Sequence, residues 1–304
     1  MKAIRIHAAG GPENLCWEET PGPVTAEGEL AVRIRAAGVN PVDAKIRAGK
    51  FSRFHAQWPA VLGRDFSGTV VHLGSAMSEF MIGDEVFGML DYERGTYAEQ
   101  SVASAREIAR KPAALSHGQA AALPVAGLTA WQALFEFGKL RRGQHVLIHG
   151  AAGGVGHLAA QFAAWAGARV AATCSAKDVD FVRGLGVPLV IDYRAQRFQD
   201  ILHDMDLVVD LVAGEARQHS WPVLKPGGVL VSTLPDPKPP RADVSGREVV
   251  VDVDADQLRT IAGLVAAGRV TVTIDRTFPL SEAGAAHLRL EEGHGRGKII
   301  LLAE

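Results

Sequence analysis

The chain has 304 residues, enough for two domains or one large one, and a composition ordinary for a globular protein. Its formal net charge of −2, with no dense lysine and arginine stripe, gives no electrostatic reason to expect a nucleic-acid partner. The two cysteines, Cys16 and Cys174, form no CxxC pair, so neither a disulfide framework nor a cysteine-based zinc site is supported, and the reducing cytoplasm is the expected compartment.

The first six residues read as a strand rather than a signal peptide, for they lack a long apolar core and a small-residue cleavage site. No apolar run reaches membrane-spanning length without glycine, proline or charge, so no membrane association is expected. Up to about residue 110 the chain offers short strands, over 30–36, 68–73 and 97–102, punctuated by Gly-Pro, Asn-Pro and Gly-Asp pairs. This is the pattern of a compact β domain with irregular connections. Composition shifts near Pro112. From there to about Asp252, apolar strands over 145–149, 169–173, 189–192, 207–211 and 229–233 alternate with helical stretches. The pattern predicts a parallel sheet buried on both faces, hence a doubly wound α/β domain. Val155, Leu158, Ala159, Phe162, Ala163 and Ala166 form a helical stripe that would pack on it. Pro-Asp-Pro-Lys-Pro-Pro at 235–240 is a loop or linker. A further strand over 247–252 follows, then a helix over 256–268, then strands over 271–278 and 298–302 around another helix.

The most informative stretch is His-Val-Leu-Ile-His-Gly-Ala-Ala-Gly-Gly-Val-Gly at 145–156. A strand, a tight turn and a helix N-terminus make a phosphate cradle for a dinucleotide. Gly153 would admit backbone N–H groups to the pyrophosphate, and Gly156 would let helix and strand pack closely. Ala151 stands where the fingerprint has its first glycine. The alternative is an ordinary strand–helix turn whose small residues serve packing. One strand later, Cys174 and Ser175 stand where an NAD site places a carboxylate for the ribose 2′-hydroxyl. Ser175 can donate to a 2′-phosphate and Lys177 can pair with it, which points to NADPH; otherwise Lys177 is a solvated lysine at a helix start. His145 and His149 share a strand face and are read as structural or solvent-facing. No set of three ligands with an open position is visible, and no metal is expected.

Six motifs, taken together, resemble the zinc-independent quinone oxidoreductases and enone reductases of the medium-chain dehydrogenase/reductase superfamily, the zeta-crystallin-like branch. They are Gly-Val-Asn-Pro-Val-Asp-Ala-Lys-Ile-Arg-Ala-Gly at 38–49, Gly-Arg-Asp-Phe-Ser-Gly-Thr-Val at 63–70 and Gly-Asp-Glu-Val-Phe-Gly at 83–88. Ala-Leu-Pro-Val-Ala-Gly-Leu-Thr-Ala-Trp at 122–131, the glycine turn at 151–156 and Gly-Arg-Gly-Lys-Ile-Ile at 295–300 complete the set. The resemblance implies a chaperonin-10-like β domain built from residues 1–113 and 254–304, with a Rossmann domain inserted over 114–253 and the active site in the cleft. It implies that Pro124 and Thr129 lie at the nicotinamide end and that Ala152, Gly153, Gly154 and Val155 hold the pyrophosphate. Ser175, Lys177 and Tyr193 would grip the 2′-phosphate, and Val212 and Leu234 would flank the ribose and nicotinamide. Zinc-dependent relatives place Cys at Asn40 and His-Glu at Arg64-Asp65, so the resemblance implies hydride transfer to a quinone or an α,β-unsaturated carbonyl without metal. It further implies a homodimer pairing the last strands of the two cofactor sheets, here the edge over 247–252. A metal-free 2-enoyl-thioester reductase and a non-catalytic, crystallin-like NADPH binder stand as alternatives.

Hydride delivery to such a substrate leaves negative charge on oxygen, and a donor aimed at that oxygen stabilises the transition state. Asn40 and Lys45 are the candidate donors, with Asp43 orienting one of them. Against this, Asn-Pro commonly starts a turn, Asp43 would cap the next helix, and Lys45 would be solvated. Lys45 is similar to the enone-reductase branch, whereas better-known quinone reductases carry tyrosine near the Lys45 and Phe51 positions. Phe51, Phe54, Trp58 and Phe66 form a candidate apolar wall for a flat substrate. Tyr97 is read as structural.

Overall fold

The strand signals of the N-terminal third close around the last strand of the chain. In the computed structural model, which describes every residue except 55, 56, 78, 294 and 304, contacts divide the chain into two units. The first comprises Met1–Val125, Val253–Ala267 and Thr273–Glu304, and the second Ala126–Asp252 and Gly268–Val272.

The first unit begins with β1 (Lys2–Ile6), β2 (Cys16–Glu19), β3 (Glu29–Val39) and α1 (Pro41–Arg47). It continues with β4 (Ala60–Val61), β5 (Asp65–Leu73), β6 (Glu85–Met89), β7 (Gln100–Ser104), β8 (Ile108–Arg110) and α2 (His117–Ala121). β1 pairs antiparallel with β2 and with β4. The eleven-residue β3 is the spine of the larger sheet and pairs antiparallel with β5 and with β7. Register shifts at Ala31/Val32 and Ile34/Ala36 disrupt its ladder with β5, the kind of bulge that bends a strand. The core gathers Ile4, Ile6, Leu30, Ile34, Phe66, Tyr97 and Leu301, from both ends of the chain. Phe66 is fully buried there, which removes it from the expected substrate wall. The expected strand over 97–102 starts later, at Gln100, because the Tyr97 carbonyl accepts from Ile4 N–H at 2.8 Å and Ala98 bridges Ala3.

Helix α3 (Pro124–Trp131) leads into the second unit and runs on as a π-helical turn over Gln132–Phe137. The unit contains β9 (His145–His149), α4 (Gly156–Trp165), β10 (Arg169–Cys174), α5 (Val179–Gly184), β11 (Leu189–Asp192) and β12 (Met205–Asp210). α6 (Gly214–Val223), β13 (Leu224–Ser232) and β14 (Ser245–Glu248) follow. All ladders are parallel, in the order β11-β10-β9-β12-β13-β14. This is the doubly wound order of dinucleotide-binding sheets, and ligands of such sheets bind beyond the strand C-termini where the order reverses, here between β9 and β12. The stripe predicted for α4 is buried at Leu158, Ala159, Phe162 and Ala163. The last strand is Ser245–Glu248 rather than 247–252. Its ladder ends where Val249 N–H bonds Ser232 O, and the Gln132 side chain then takes both the N–H and the C=O of Asp252 at 2.9 Å.

The chain returns to the first unit as α7 (Ala255–Ala266), β15 (Ile274–Pro279), α8 (Ala283–Glu291) and β16 (Lys298–Leu302). β16 pairs antiparallel with the end of β3, Ile299 opposite Val39. Among the described residues, no helix is long and apolar enough to cross a membrane.

Candidate active site

Asn40 follows β3 in an extended conformation and is the N-cap of α1, with Pro41 at the first helical position. Its backbone N–H donates to Asp43 Oδ2 at 2.8 Å, the half of a capping box that Asp43 supplies. Asn40 and Asp43 are placed as a capping box, but the Asn40 side chain makes no hydrogen bond to the helix. Instead its amide nitrogen donates to Asp65 Oδ2 at 2.9 Å, and its oxygen accepts from the Lys298 ammonium. Lys298 Nζ also donates to Asp65 Oδ2 at 3.0 Å and to Val39 O at 3.3 Å, while Val125 N–H donates to Asp65 Oδ1 at 2.7 Å. Asn40, Asp65 and Lys298 are all nearly inaccessible. Gly38 makes room for them: a Cβ there would stand 2.8 Å from Asp65 Oδ2 and 2.7 Å from Ala121 O.

Behind this corner runs a buried polar line. Arg47 donates to His287 Nδ1 at 3.1 Å, so the ring proton lies on Nε2, which faces the Tyr97 hydroxyl at 3.3 Å. Tyr97 in turn donates to Asp43 Oδ2 at 3.0 Å. Burial, and then the Arg47 charge, push the His287 pKa down to about 3 and keep the ring neutral. Burial raises the Asp43 carboxyl to about 7; the Asn40 N–H opposes this, and the Asp65 charge adds to it. Asp43 Oδ1 has no hydrogen-bond partner among the described residues. Burial and the nearby Asp43 push the Tyr97 phenol well above its ordinary value. Asp43 therefore holds the Asn40 backbone rather than Lys45, which lies on the exposed face of α1. Phe51 and Phe54 flank the Tyr92 ring at 5.1 and 5.7 Å, and the Arg64 guanidinium lies 4.1 Å over it. Trp58 is exposed.

In the second unit the glycine turn joins β9 to α4. Gly153 N–H returns to Gly150 O at 3.0 Å, and Ala152 is buried while Gly153, Gly154 and Val155 are partly open at the helix start. A Cβ on Gly156 would stand 2.2 Å from Gly150 O, so close packing of helix on strand requires glycine. His149 is buried beside the turn. Ser220 gives its own proton to Ala216 O and so accepts from His149 Nε2, leaving Nδ1 to accept from Thr173. Burial lowers this histidine to about 4, and both its ring nitrogens are committed to neighbouring side chains. The Ser175 hydroxyl donates to the buried Asp178 at 2.6 Å, while Lys177 is exposed. Tyr193 is half exposed, with the Arg194 guanidinium 5.8 Å from its ring centroid. Thr129 is buried on α3.

The loops after β12 and β13 are tied together. Asp210 accepts from Val212 N–H, Ala213 N–H, Arg217 Nε and Ser232 Oγ, and Arg217 also reaches the Leu234 and Pro235 carbonyls. Burial alone would raise the Asp210 carboxyl, but Arg217 and these N–H groups hold it below the ordinary carboxylate range. Val212 and Leu234 thus sit on a pinned scaffold, and Ala213 is held at φ 58°, ψ −153°, a region that glycine alone adopts readily.

Residues 26–113 match the model of the alcohol dehydrogenase GroES-like domain, and residues 185–301 that of the zinc-binding dehydrogenase family. The chloroplast envelope quinone oxidoreductase homolog of Arabidopsis thaliana is 32% identical, over 99% of this chain and 98% of its own length. The chain belongs to the quinone and enone oxidoreductases of the medium-chain dehydrogenase/reductase superfamily. The oxidoreductase is also 32% identical to the chloroplastic NADPH-dependent alkenal/one oxidoreductase of Arabidopsis thaliana, over 99% of this chain and 79% of that one. The quinone oxidoreductase of Coxiella burnetii superposes on it with a TM-score of 0.95 at 35% identity, over 100% of this chain and 99% of that one.

The second family model's name implies zinc, and the residues of this oxidoreductase do not fit it. A catalytic zinc takes three protein ligands, but Asn40 Oδ1 and Asp65 Oδ2 both already hold the Lys298 ammonium. A nicotinamide dinucleotide fits better. The glycine turn is tight where a Cβ would fill it, and β10 ends in Cys174, whose thiol burial raises to about 11, with Asp178 adding to the shift. The Lys298 contacts, the stacking of Arg64 on Tyr92 and the pairing of Tyr97 with His287 had no signal in the sequence, since the partners are remote along the chain.

Proposed function

We propose that this oxidoreductase reduces quinones or α,β-unsaturated carbonyls with NADPH and without a protein-held zinc. The observation that carries the reading is the Asn40 amide. Its oxygen and one N–H are committed to buried partners, and its second N–H has no acceptor among the described residues. A fixed donor of this kind suits an oxygen on which charge develops.

NADPH, when bound, supplies a hydride to an electron-poor carbon of the substrate. In this reading Ala152–Val155 hold the pyrophosphate at the start of α4, and Pro124, Thr129, Val212 and Leu234 shape the nicotinamide end. Lys177 pairs with the 2′-phosphate, with Tyr193 beside it; Ser175 joins only by releasing Asp178. Asn40 donates to the substrate oxygen, and Asp43 fixes the Asn40 backbone. Lys45, exposed on α1, is a secondary candidate donor. The names of the relatives, a quinone oxidoreductase homolog and an NADPH-dependent alkenal/one oxidoreductase, support the substrate class and cofactor. The reading includes a homodimer through β14, which pairs on one side with β13 at the end of its sheet, and a reducing cytoplasmic setting for the free thiols of Cys16 and Cys174.

The test is loss of NADPH absorbance with a panel of quinones and enones. Turnover of either class is expected; tight NADPH binding with no oxidation overturns the reading. Lys177→Ala should raise the NADPH Kd by about tenfold or more and leave NADH nearly unchanged, since the 2′-phosphate alone distinguishes them. Equal loss for both removes Lys177 from the phosphate site.

A further inference from the structure

We propose that Lys298 is a positioning residue that locks and polarises the Asn40 amide, so that Asn40 can present only an N–H donor. The inference rests on the reading of Asn40 as the donor to substrate oxygen. It starts from a general ambiguity: a buried asparagine can turn its amide over, exchanging a donor for an acceptor. At a site meant to receive developing negative charge, the turned-over form would place an oxygen against an oxygen.

Here the choice is made by charge. The ammonium is donor-only, and it donates to Asn40 Oδ1, Asp65 Oδ2 and Val39 O, which uses all three of its protons. Asp65, at the neighbouring end of β5, accepts from the Asn40 amide nitrogen on one oxygen and from Val125 N–H on the other. Turning the amide over would place its NH2 against an ammonium and its oxygen against a carboxylate. Both contacts are repulsive, and both lie out of solvent, where they are little screened. The same ammonium draws electron density from the amide through its carbonyl oxygen, which strengthens the remaining N–H as a donor. β16 supplies this charge from the end of the chain, at the place where it pairs with β3. Gly38 admits the Asp65 carboxylate that balances it.

Lys298→Met would leave Asp65 buried without its cation, a defect that threatens folding itself, so the test pairs two neutral changes. In Asp65→Asn/Lys298→Gln every group can still find a partner, but nothing dictates which way Asn40 faces. This variant should keep its NADPH Kd and thermal stability while kcat falls by about the same factor as in Asn40→Ala. That factor is about 100-fold for one lost oxyanion donor. Adding Asn40→Ala to the neutral pair should cost little more. A second readout needs no turnover. In protein labelled with 15N at asparagine, the Asn40 side-chain NH2 signal is identified by its loss in Asn40→Ala. It should be exchange-protected in the parent and shifted and less protected in the neutral pair. A folded neutral pair with parental kcat, or with an unchanged Asn40 signal, overturns the lock. Should the parent turn over no quinone or enone, the proposed function fails while the amide signal still decides the lock.

Discussion

Two alanine substitutions separate the two tasks of the glycine turn. A methyl at Gly156 would stand 2.2 Å from Gly150 O and 2.8 Å from Ala151 Cα, both backbone atoms, where ordinary contacts begin near 3.4 Å. The turn must shift by about an ångström, or α4 must slide on β9. Overpacking of this kind costs about 1–3 kcal/mol. At roughly 2–4 °C of Tm per kcal/mol for a domain of this size, Gly156→Ala should lower Tm by roughly 2–12 °C. A methyl at Gly153 meets only Gly150 O, at 3.4 Å, an ordinary contact. Gly153→Ala should therefore leave the fold unharmed, or gain about 0.4–1 kcal/mol by restricting the unfolded chain. It stands, however, where backbone N–H groups would meet the pyrophosphate, and the NADPH Kd should rise by about tenfold or more, about 1.4 kcal/mol. Thermal scanning and fluorescence titration with NADPH read the two effects independently. A Gly153→Ala protein that loses as much Tm as Gly156→Ala yet binds NADPH like the parent would refute the reasoning.

Two more outcomes follow from buried groups. The Asp43 carboxyl titrates near 7 in the fold against an ordinary value of 3.8, so between those values the folded chain holds a proton that the unfolded chain has released. Stability from this group is present below about pH 4 and is lost as pH rises to about 7, at up to about 1.4 kcal/mol per pH unit. The stability of Asp43→Asn relative to the parent should climb across that window and level off above it, as urea unfolding at stepped pH would show; a constant difference would sink the assignment. Ala213→Gly should raise stability by about 1 kcal/mol by relieving the backbone after β12, measured as an increase in Tm, and a decrease would mean that Ala213 is not strained.

Much of the architecture was legible because it is written locally. Alternating apolar strands and helices announced the parallel sheet, and the turn at 150–156 announced the junction of β9 with α4. That Cys174 and Ser175 carry no carboxylate was equally visible, whereas the buried Asp178 that takes the Ser175 proton was not foreseen. The Asn40 corner was only half legible: Asn40-Pro41 and Asp43 signalled a helix start, which the structure contains, but that signal gave no destination for the Asn40 side chain. Its partners lie 25 and 258 residues away. Tyr97 looked structural for the same reason, since His287 is 190 residues distant. The last strand of the cofactor sheet was misplaced because valines 249–251 favour a strand, whereas a glutamine on the π-helical turn takes the backbone of Asp252.

The separation of 233 positions between Asp65 and Lys298 also sets an order of events during synthesis. The second unit is almost one continuous stretch, so nearly all its strands are available to one another well before β16 is made. The outer edge of β3 must wait for β16, exposing unpaired backbone that could capture another nascent chain, while Asp65 waits for its cation. A chain without residue 298 would keep the glycine turn after β9 but lose the charge that orients the Asn40 amide.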